Sequence, residues 1–311
     1  MTSNRAQLRA FALLALVMLF WAGNAIVARA VRFDVPPLTL AFARWAIALG
    51  VLAPFAIRPL RRDAAVLAAG WRPVLLLGLL GVGAFNALLY TGLQYTSAAN
   101  ALLLSAAIPP VVAVLDRMLF GVRAGKVQAL GMAASVVGVA WIVFEGDVQA
   151  AMRLDFARGD LIILASVAVW ALYTVLLRTR PAVAPSSFIA ATFAVGVLAM
   201  APLAAWEWHS GLAVHWSWGV AAALLYVGLL PSLVSYFIYN SAAATVGPAR
   251  AGQAITLMPL FGAVLSATLL GEELHRYHFS GMALILLGIA LGAWSLRGAA
   301  LPANDEPRQR K

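Results

Sequence analysis

Two stretches of this chain, residues 73–115 and 208–249, contain no Asp, Glu, Lys or Arg, and each is more than 40 residues long. Shorter uncharged windows lie at 10–28, 127–144, 161–177, 251–271 and 277–296. Each short window approaches the roughly 20 residues with which a helix crosses about 30 Å of hydrocarbon. With 63% hydrophobic and 11% charged residues and a mean hydropathy of +0.89, the chain has too little polar surface to enclose a water-soluble core. It is predicted to reside in a lipid bilayer.

The uncharged windows predict ten transmembrane helices. The first long window is divided into two crossings by Gln94-Tyr95-Thr96-Ser97, and with the second long window counted once the uncharged windows supply eight crossings. Segments 36–57 and 185–205 complete the count. The runs are continuous and rich in Leu and Ala, whereas strands of a membrane barrel are about ten residues long and alternate in polarity. The predicted fold class is therefore all-α integral membrane.

The second half of the sequence repeats the first in a nearly constant register. Trp21 and Arg29 recur 149 residues later as Trp170 and Arg178. At a lag of 150, Gly78, Pro109, Gly121, Gly131 and Gly138 match Gly228, Pro259, Gly271, Gly281 and Gly288. A constant register of Trp, Pro and Gly indicates a tandem duplication. We predict a first five-helix repeat at 1–144, an external linker at 145–158, a second five-helix repeat at 159–297 and a cytoplasmic tail at 298–311.

An odd number of helices in each copy inverts the second copy relative to the first. Inverted repeats are typical of secondary transporters, whose substrate site lies near the midplane between the repeats. Sixteen Lys and Arg residues fall on the N-terminal face and five on the opposite face, which predicts that both termini are cytoplasmic. We expect a multi-pass protein of the cell inner membrane.

Several other classes of function are disfavoured. The net charge of +10 is spread over loops as a marker of topology, so no binding to nucleic acid is predicted. The chain has no cysteine, and it lacks a membrane-embedded HExxH motif and a Gly-rich phosphate loop. We predict no enzymatic activity, no cofactor and no metal site.

These features resemble the drug/metabolite transporter superfamily. The two five-helix copies, Trp21 in the first helix, and the run Leu269-Leu-Gly-Glu-Glu273 followed by Gly281 and Gly288 are similar to its EamA-type members. The Trp21/Trp170 pair looks like that of the YddG-type exporters of aromatic and other amino acids. The resemblance covers nearly all of residues 8–297 and implies a central cavity that opens alternately to the two sides. It also places Phe85, Leu89 and Ile108 at pocket positions, and the two aliphatic residues among them imply a less aromatic pocket.

Two tryptophans are the leading candidates for substrate contact. Trp21 and Trp170 lie near mid-span in symmetry-related helices, and Asn24 and Tyr173 share their helix faces one turn away. An indole offers a rigid apolar face and attracts an ammonium group by about 0.5–2 kcal/mol. Packing against neighbouring helices is the alternative role for both rings.

Further candidates come from the third helix of each copy. Asn86 and Tyr90 share one face in the first copy, and Tyr236, Tyr239 and Asn240 offer the equivalent face in the second. Polar side chains in hydrocarbon either hold helices together or bind a solute, and both roles remain open. The paired prolines Pro109 and Pro259 are hinge candidates, with a static kink as the alternative.

Arg44 is the only charged residue well inside a predicted span. An arginine there costs about 2.5 kcal/mol or more and marks a functional site by default. It is predicted either to receive a substrate carboxylate, to bond helix carbonyl groups, or to reach toward the outer interface. No Asp or Glu lies in the middle of a span, and all four histidines lie in or beside outer loops, which favours transport driven by the substrate gradient over proton coupling.

The predicted function is export of amino acids, including aromatic and other neutral ones, by alternating access. The expected partners are a small-molecule substrate and the lipid bilayer, and the expected assembly is a monomer. Export of drugs or other small metabolites is the first alternative. A membrane receptor that binds a solute without moving it is the second.

Overall fold

The computed structural model describes residues 4–121, 125–153, 157–246, 254 and 257–298, and the regular elements in these residues are helical. The first half contains α1 (Asn4–Ala30), α2 (Pro37–Ala69), α3 (Trp71–Leu77), a π-helical turn (Gly78–Ala84), α4 (Phe85–Gly92), α5 (Ala98–Leu104), a 3₁₀ turn (Ser105–Ala107), α6 (Ile108–Phe120) and α7 (Lys126–Val143). The short helix α8 (Val148–Arg153) follows. The second half contains α9 (Arg158–Leu176), a 3₁₀ turn (Leu177–Thr179), α10 (Pro185–His209), α11 (Trp218–Gly228), a π-helical turn (Leu229–Val234), α12 (Ser235–Val246), α13 (Leu257–Leu265), a π-helical turn (Ser266–Leu270) and α14 (Arg276–Gly298).

Seven helical spans in the described residues are long and apolar enough to cross a membrane. They are Leu8–Ala30, Pro37–Ala69, Trp71–Gly92, Ala98–Phe120, Arg158–Thr179, Pro185–His209 and Trp218–Tyr239. Two shorter apolar helices, Ala129–Val143 and Leu257–Leu270, lie in the uncharged windows 127–144 and 251–271, and α14 covers the uncharged window 277–296. The predicted break at 94–97 falls between α4 and α5. The chain is therefore a helical, multi-pass membrane protein.

Helices of the two halves pack against each other in a reciprocal pattern. In the first half, α1 contacts α12 and α13 of the second half, and α9 of the second half contacts α4 and α6 of the first. Two further pairs, α2 with α10 and α7 with α14, join the halves at their flanks. The first helix of each half thus packs against helices of the other half.

Four of the repeated glycines, Gly131, Gly138, Gly281 and Gly288, lie where α7 and α14 touch. A Cβ atom at Gly138 would stand 2.7 Å from the carbonyl oxygen of Gly281, and one at Gly281 would stand 2.9 Å from the carbonyl oxygen of Gly138. A Cβ at Gly288 would collide with the carbonyl oxygen of Gly131 and with Ser135. Small residues at such a contact allow the two backbones to approach closely, as in other membrane helix pairs.

The segment between the halves is partly helical. We predicted residues 145–158 as an external linker, and within it α8 spans six residues. The predicted tail, 298–311, lies outside the described residues apart from Gly298.

Candidate functional site

A cavity of about 840 Å³ lies between the two halves. This volume falls within the range typical of small-molecule sites. Most of the residues that the sequence singled out line it: Trp21, Asn24, Arg44, Phe85, Asn86, Leu89, Ile108, Pro109, Trp170, Tyr173, Tyr236, Tyr239 and Pro259. The cavity therefore brings together candidate residues of both halves.

The cavity reaches one end of the helix bundle. Asp116, Arg180 and Pro181 line it there, whereas Arg29 and Glu272, at the opposite end, do not. Asp116 and Arg178 form an ion pair beside this mouth. The structure is therefore open at the Asp116 end and closed at the Arg29 end.

Charged and polar contacts hold the closed end together. Arg29 Nη1 donates to the carbonyl oxygens of Leu93 at 2.6 Å and Gln94 at 3.2 Å, and its Nε lies 3.6 Å from Glu272 Oε1. The Glu272 carboxylate accepts the backbone N–H groups of Ala98 and Ala99 at 3.1 and 3.2 Å. Glu272 thus ties the first helix of the chain to the start of α5.

Two further contacts between the halves lie at the same end. Thr96 Oγ1 donates to Asp160 Oδ1 at 2.6 Å, and His278 Nε2 lies 2.9 Å from Asn100 Oδ1. Both contacts are buried. Closure at this end therefore depends on several hydrogen bonds in addition to one ion pair.

Arg44 lies deep in the protein and holds the centre of a polar cluster. Its Nη1 donates to Asn24 Oδ1 at 2.9 Å, Asn86 Oδ1 at 3.0 Å and Tyr90 Oη at 2.8 Å. Its Nε donates to Ser232 Oγ, in the second half, at 2.7 Å. The Tyr90 hydroxyl in turn donates to Asn24 Oδ1 at 2.8 Å. Four neutral side-chain oxygens therefore hold the Arg44 side chain. In the described structure it neither bonds helix carbonyl groups nor reaches toward the membrane interface, the two alternative roles predicted for it.

The positive charge of Arg44 has no acidic partner among the described residues. Arg44 is only 6% exposed and lines the cavity, and its Nη2 group donates no hydrogen bond in the described part of the chain. Its Cζ atom lies 4.7 Å from the ring centroid of Trp45, whose buried indole nitrogen also lacks an acceptor in the described structure. A buried cation with unused donors is suited to hold an anionic group that enters the cavity.

Each half carries a π-helical turn near this cluster, at 78–84 and at 229–234. Asn86 follows the first turn and donates from Nδ2 to the carbonyl oxygens of Gly81 and Val82. The second turn contains Ser232, and its Pro231 carbonyl accepts the Trp21 indole N–H at 2.9 Å. π-Helical turns leave backbone carbonyls outside the regular ladder and are frequent at functional sites. Sequence reasoning missed Ser232, although Pro231 inside an uncharged window signals an irregular helix there.

A second part of the cavity lining is aromatic. The Trp170 ring lies 4.5 Å from Phe85 and 5.0 Å from Tyr173, between centroids. The Tyr173 and Tyr236 hydroxyls are 3.4 Å apart, and the Tyr236 ring meets Phe193 edge-on at 6.3 Å. Trp21 stands apart from this group and lies 5.6 Å from Tyr239. Each Trp thus contacts an aromatic ring from the other half of the chain.

Positions that correspond by the repeat register differ in chemistry. Arg44 corresponds to Phe193, and Asn24 to Tyr173, at a lag of 149 residues. Asn86 corresponds to Tyr236 at a lag of 150. All six residues line the cavity. The cavity therefore has a cationic, amide-rich wall from the first half and an aromatic wall from the second.

The remaining candidates are a tyrosine, an asparagine and the two paired prolines. Tyr90 does not line the cavity, but its hydroxyl accepts a hydrogen bond from Arg44. The side chain of Asn240 lies outside the described residues. Pro109 is the second residue of α6, directly after a 3₁₀ turn, and Pro259 lies in the first turn of α13. Sequence reasoning did not select these lining residues: Trp45, Asp116, Arg180, Phe188, Thr192 and Phe193.

Comparisons with known proteins identify relatives over nearly the whole chain. A family model described as the EamA-like transporter family matches residues 8–144 and, a second time, residues 157–293. "Uncharacterized transporter YyaM" of Bacillus subtilis is 26% identical over 72% of this chain and 73% of that protein. A "Probable terminal-alkyne amino-acid exporter" of Streptantibioticus cattleyicolor is 28% identical over 82% of this chain and 80% of that protein. A solved crystal structure, 17% identical, covers 94% of this chain and 99% of its own with a TM-score of 0.62, a likeness of fold.

Proposed function

This chain belongs to the EamA-like transporter family, and we propose that it exports neutral amino acids, aromatic ones included, from the cell by alternating access. The observation that carries the proposal is the cavity between the two halves, which is open at one end, closed at the other and contains the buried cation of Arg44. The likeness to a protein named as a probable amino-acid exporter supports the class of substrate.

The proposed architecture is ten membrane-spanning helices in two inverted five-helix repeats. The repeats would occupy 1–144 and 159–297, with the linker 145–158 outside the cell and the tail 298–311 in the cytoplasm. The two matches of one family model and the reciprocal packing of α1 and α9 support this division. Two inverted copies have two equivalent ways to pack, each of which closes one end of the cavity.

The excess of Lys and Arg on one face supports a cytoplasmic location for both termini and for the mouth beside Asp116. In this orientation the cavity faces the cytoplasm, where the substrate of an exporter is loaded. The bacterial relatives support the cell inner membrane as its location.

The substrate would lie between the two walls of the cavity. Its carboxylate would accept hydrogen bonds from Arg44, because charge-assisted contacts to arginine are short, strong and often bidentate. Its side chain would contact the aromatic wall around Trp170. This arrangement favours amino acids with apolar side chains over those with a second charge.

The proposed driving force is the gradient of the substrate itself. Among the described residues, Asp116 is the one acidic side chain that lines the cavity, and it is paired with Arg178 at the mouth. A proton-coupled carrier requires a titratable group in the translocation path. We infer facilitated transport.

Counterflow in proteoliposomes tests the proposal. Vesicles loaded with unlabelled phenylalanine, tryptophan, methionine or threonine should take up the same labelled amino acid transiently and saturably, and protein-free vesicles should not. A membrane receptor would bind the label without exchange. Saturable binding without counterflow for all four amino acids would refute the transport function.

A further inference from the structure

The cavity presents donors for a carboxylate but few free acceptors for an ammonium group. The oxygens nearest Arg44 are already engaged: those of Asn24, Asn86 and Ser232 all accept from its guanidinium. The Tyr90 hydroxyl accepts from Arg44 and donates to Asn24. An ammonium group at this wall would therefore compete with Arg44 for the same oxygens.

The acidic residues that the structure describes do not supply a free partner for an ammonium group either. The chain has 12 acidic residues, of which Asp155, Asp305 and Glu306 lie outside the described residues. Of the others, Asp116 lines the cavity, and its carboxylate is bound to Arg178 at the mouth. The α-ammonium group of an amino acid would instead stand close to the guanidinium of Arg44, because it is attached to the carbon beside the carboxylate. Like charges at that separation repel each other.

The cavity wall formed by the second half is suited to an apolar group. The positions that correspond by repeat to Arg44, Asn24 and Asn86 hold Phe193, Tyr173 and Tyr236, and these rings contact one another. The Trp45 ring lies 4.6 Å from Phe193 and connects the aromatic wall to Arg44. A ligand that spans the cavity thus meets a cation at one end and aromatic carbon at the other.

We propose that this site recognises apolar monocarboxylates as a class and that the α-amino group of an amino acid contributes little to binding. The inference rests on the proposed function and extends it, because N-acylated amino acids and aryl- or alkyl-substituted carboxylic acids then belong to the same substrate class as neutral amino acids. Amines and amino-acid derivatives without a carboxylate do not.

A matched set of phenyl compounds tests this inference on the wild-type protein. The set contains L-phenylalanine, N-acetyl-L-phenylalanine, 3-phenylpropionate, and L-phenylalaninol, which has the amine but no carboxylate. Binding is measured as the shift in the unfolding temperature of the purified protein in detergent, since a ligand that binds the folded state stabilises it. This readout does not depend on transport.

We expect N-acetyl-L-phenylalanine and 3-phenylpropionate to produce a given shift in unfolding temperature at concentrations within about threefold of the L-phenylalanine concentration that produces the same shift. L-Phenylalaninol should require at least about tenfold more, because a lost charge-assisted contact to arginine costs about that factor or greater. If the two compounds without a free amine fail to stabilise the protein while L-phenylalanine does, the inference is overturned. Equal binding of L-phenylalaninol would overturn it too.

The counterflow assay separates this inference from the proposed function. Amino-acid exchange together with binding of L-phenylalanine alone would leave the exporter function intact and refute the amine-independent site. Binding of the whole carboxylate series without amino-acid exchange would support the site and refute the proposed function.

Discussion

At the level of single residues, a buried positive charge is held inside a membrane protein by neutral hydrogen-bond acceptors. Arg44 is buried, and its cost is offset by hydrogen bonds to Asn24, Asn86, Tyr90 and Ser232. The sequence could predict the importance of Arg44 and the helix faces of three of these partners, because a lone charge in an apolar span is conspicuous. It could not predict Ser232, which lies 188 residues away and meets Arg44 only through tertiary packing.

The aromatic wall gives the first prediction. Trp170→Ala removes a ring that lines the cavity and contacts the tilted rings of Phe85 and Tyr173. The contact of two aromatic rings is worth about 0.5–1.5 kcal/mol beyond the buried area, so the half-saturating concentration of phenylalanine in counterflow should rise about 2- to 13-fold. Trp21→Ala should act in the same direction.

Trp218→Ala is the matched control for these variants. Trp218 is 93% exposed at the start of α11 and does not line the cavity, so its replacement should leave exchange unchanged. Unaltered kinetics in both Trp21→Ala and Trp170→Ala would remove the two tryptophans from the binding site.

At the scale of helices, apolar sequence patterns predicted where the chain crosses the membrane better than how each helix is shaped. The apolar pattern predicted the seven spans that are long enough to cross a membrane and the break between α4 and α5. The π-helical turns at 78–84 and 229–234 were not predicted. The first lies in a run of Gly, Leu, Val and Ala, which carries no signature of a shift in backbone hydrogen bonding, and the second is marked only by Pro231. These turns nevertheless place Asn86 and Ser232 beside Arg44.

The glycine contact between α7 and α14 gives the second prediction. Gly138→Ala inserts a Cβ atom 2.7 Å from the backbone carbonyl oxygen of Gly281, and neither backbone can yield without moving its helix. Overpacking of this kind costs about 1–3 kcal/mol, so thermal unfolding in detergent should occur at a lower temperature. Gly50→Ala is the control, because nothing lies within 4 Å of its added Cβ, and alanine favours the helix. Equal unfolding temperatures for the two variants would contradict the close contact.

The closed end of the bundle gives the third prediction. Glu272→Gln removes the ion pair with Arg29 and weakens the contact with the start of α5. Loss of charged hydrogen bonds worth about 1–2 kcal/mol would change the ratio of closed to open molecules about 5- to 30-fold. The native chain has no cysteine, so a single cysteine introduced at Ala106 in the cavity reports on access.

In cells, a membrane-impermeant maleimide applied from outside should label that cysteine faster in Glu272→Gln than in the parent. Glu273→Gln is the matched control, since the neighbouring side chain is exposed. Identical labelling rates in the Glu272 and Glu273 variants would show that the ion pair does not hold the outer end closed.

At the scale of the whole molecule, the duplication predicted a shared cavity but not which end of it is open. The proposed inverted copies would allow both arrangements, and the choice between them would depend on contacts that the copies do not share. Arg29 pairs with Glu272, whereas its repeat equivalent Arg178 pairs with Asp116. The two acidic partners, Glu272 and Asp116, do not correspond by the repeat register, so the two ion pairs could be identified only in the folded chain.

The absence of a titratable carboxylate deep in the described cavity gives the fourth prediction. An imposed pH gradient across sealed proteoliposomes should leave the final distribution of labelled phenylalanine equal on both sides, because the zwitterion carries no net charge and no proton moves with it. The distribution is measured by rapid filtration, with a vesicle population lacking the gradient as reference. Uphill accumulation that collapses when a protonophore is added would establish proton coupling.

The most direct test of the account is counterflow of labelled phenylalanine by Arg44→Gln. This variant keeps hydrogen-bonding capacity at the centre of the cavity but lacks the charge that is proposed to hold the substrate carboxylate. If Arg44 binds the substrate, a variant that elutes as a monodisperse species should lose at least about tenfold of its exchange at subsaturating phenylalanine. Exchange equal to that of the wild-type protein would contradict the central claim.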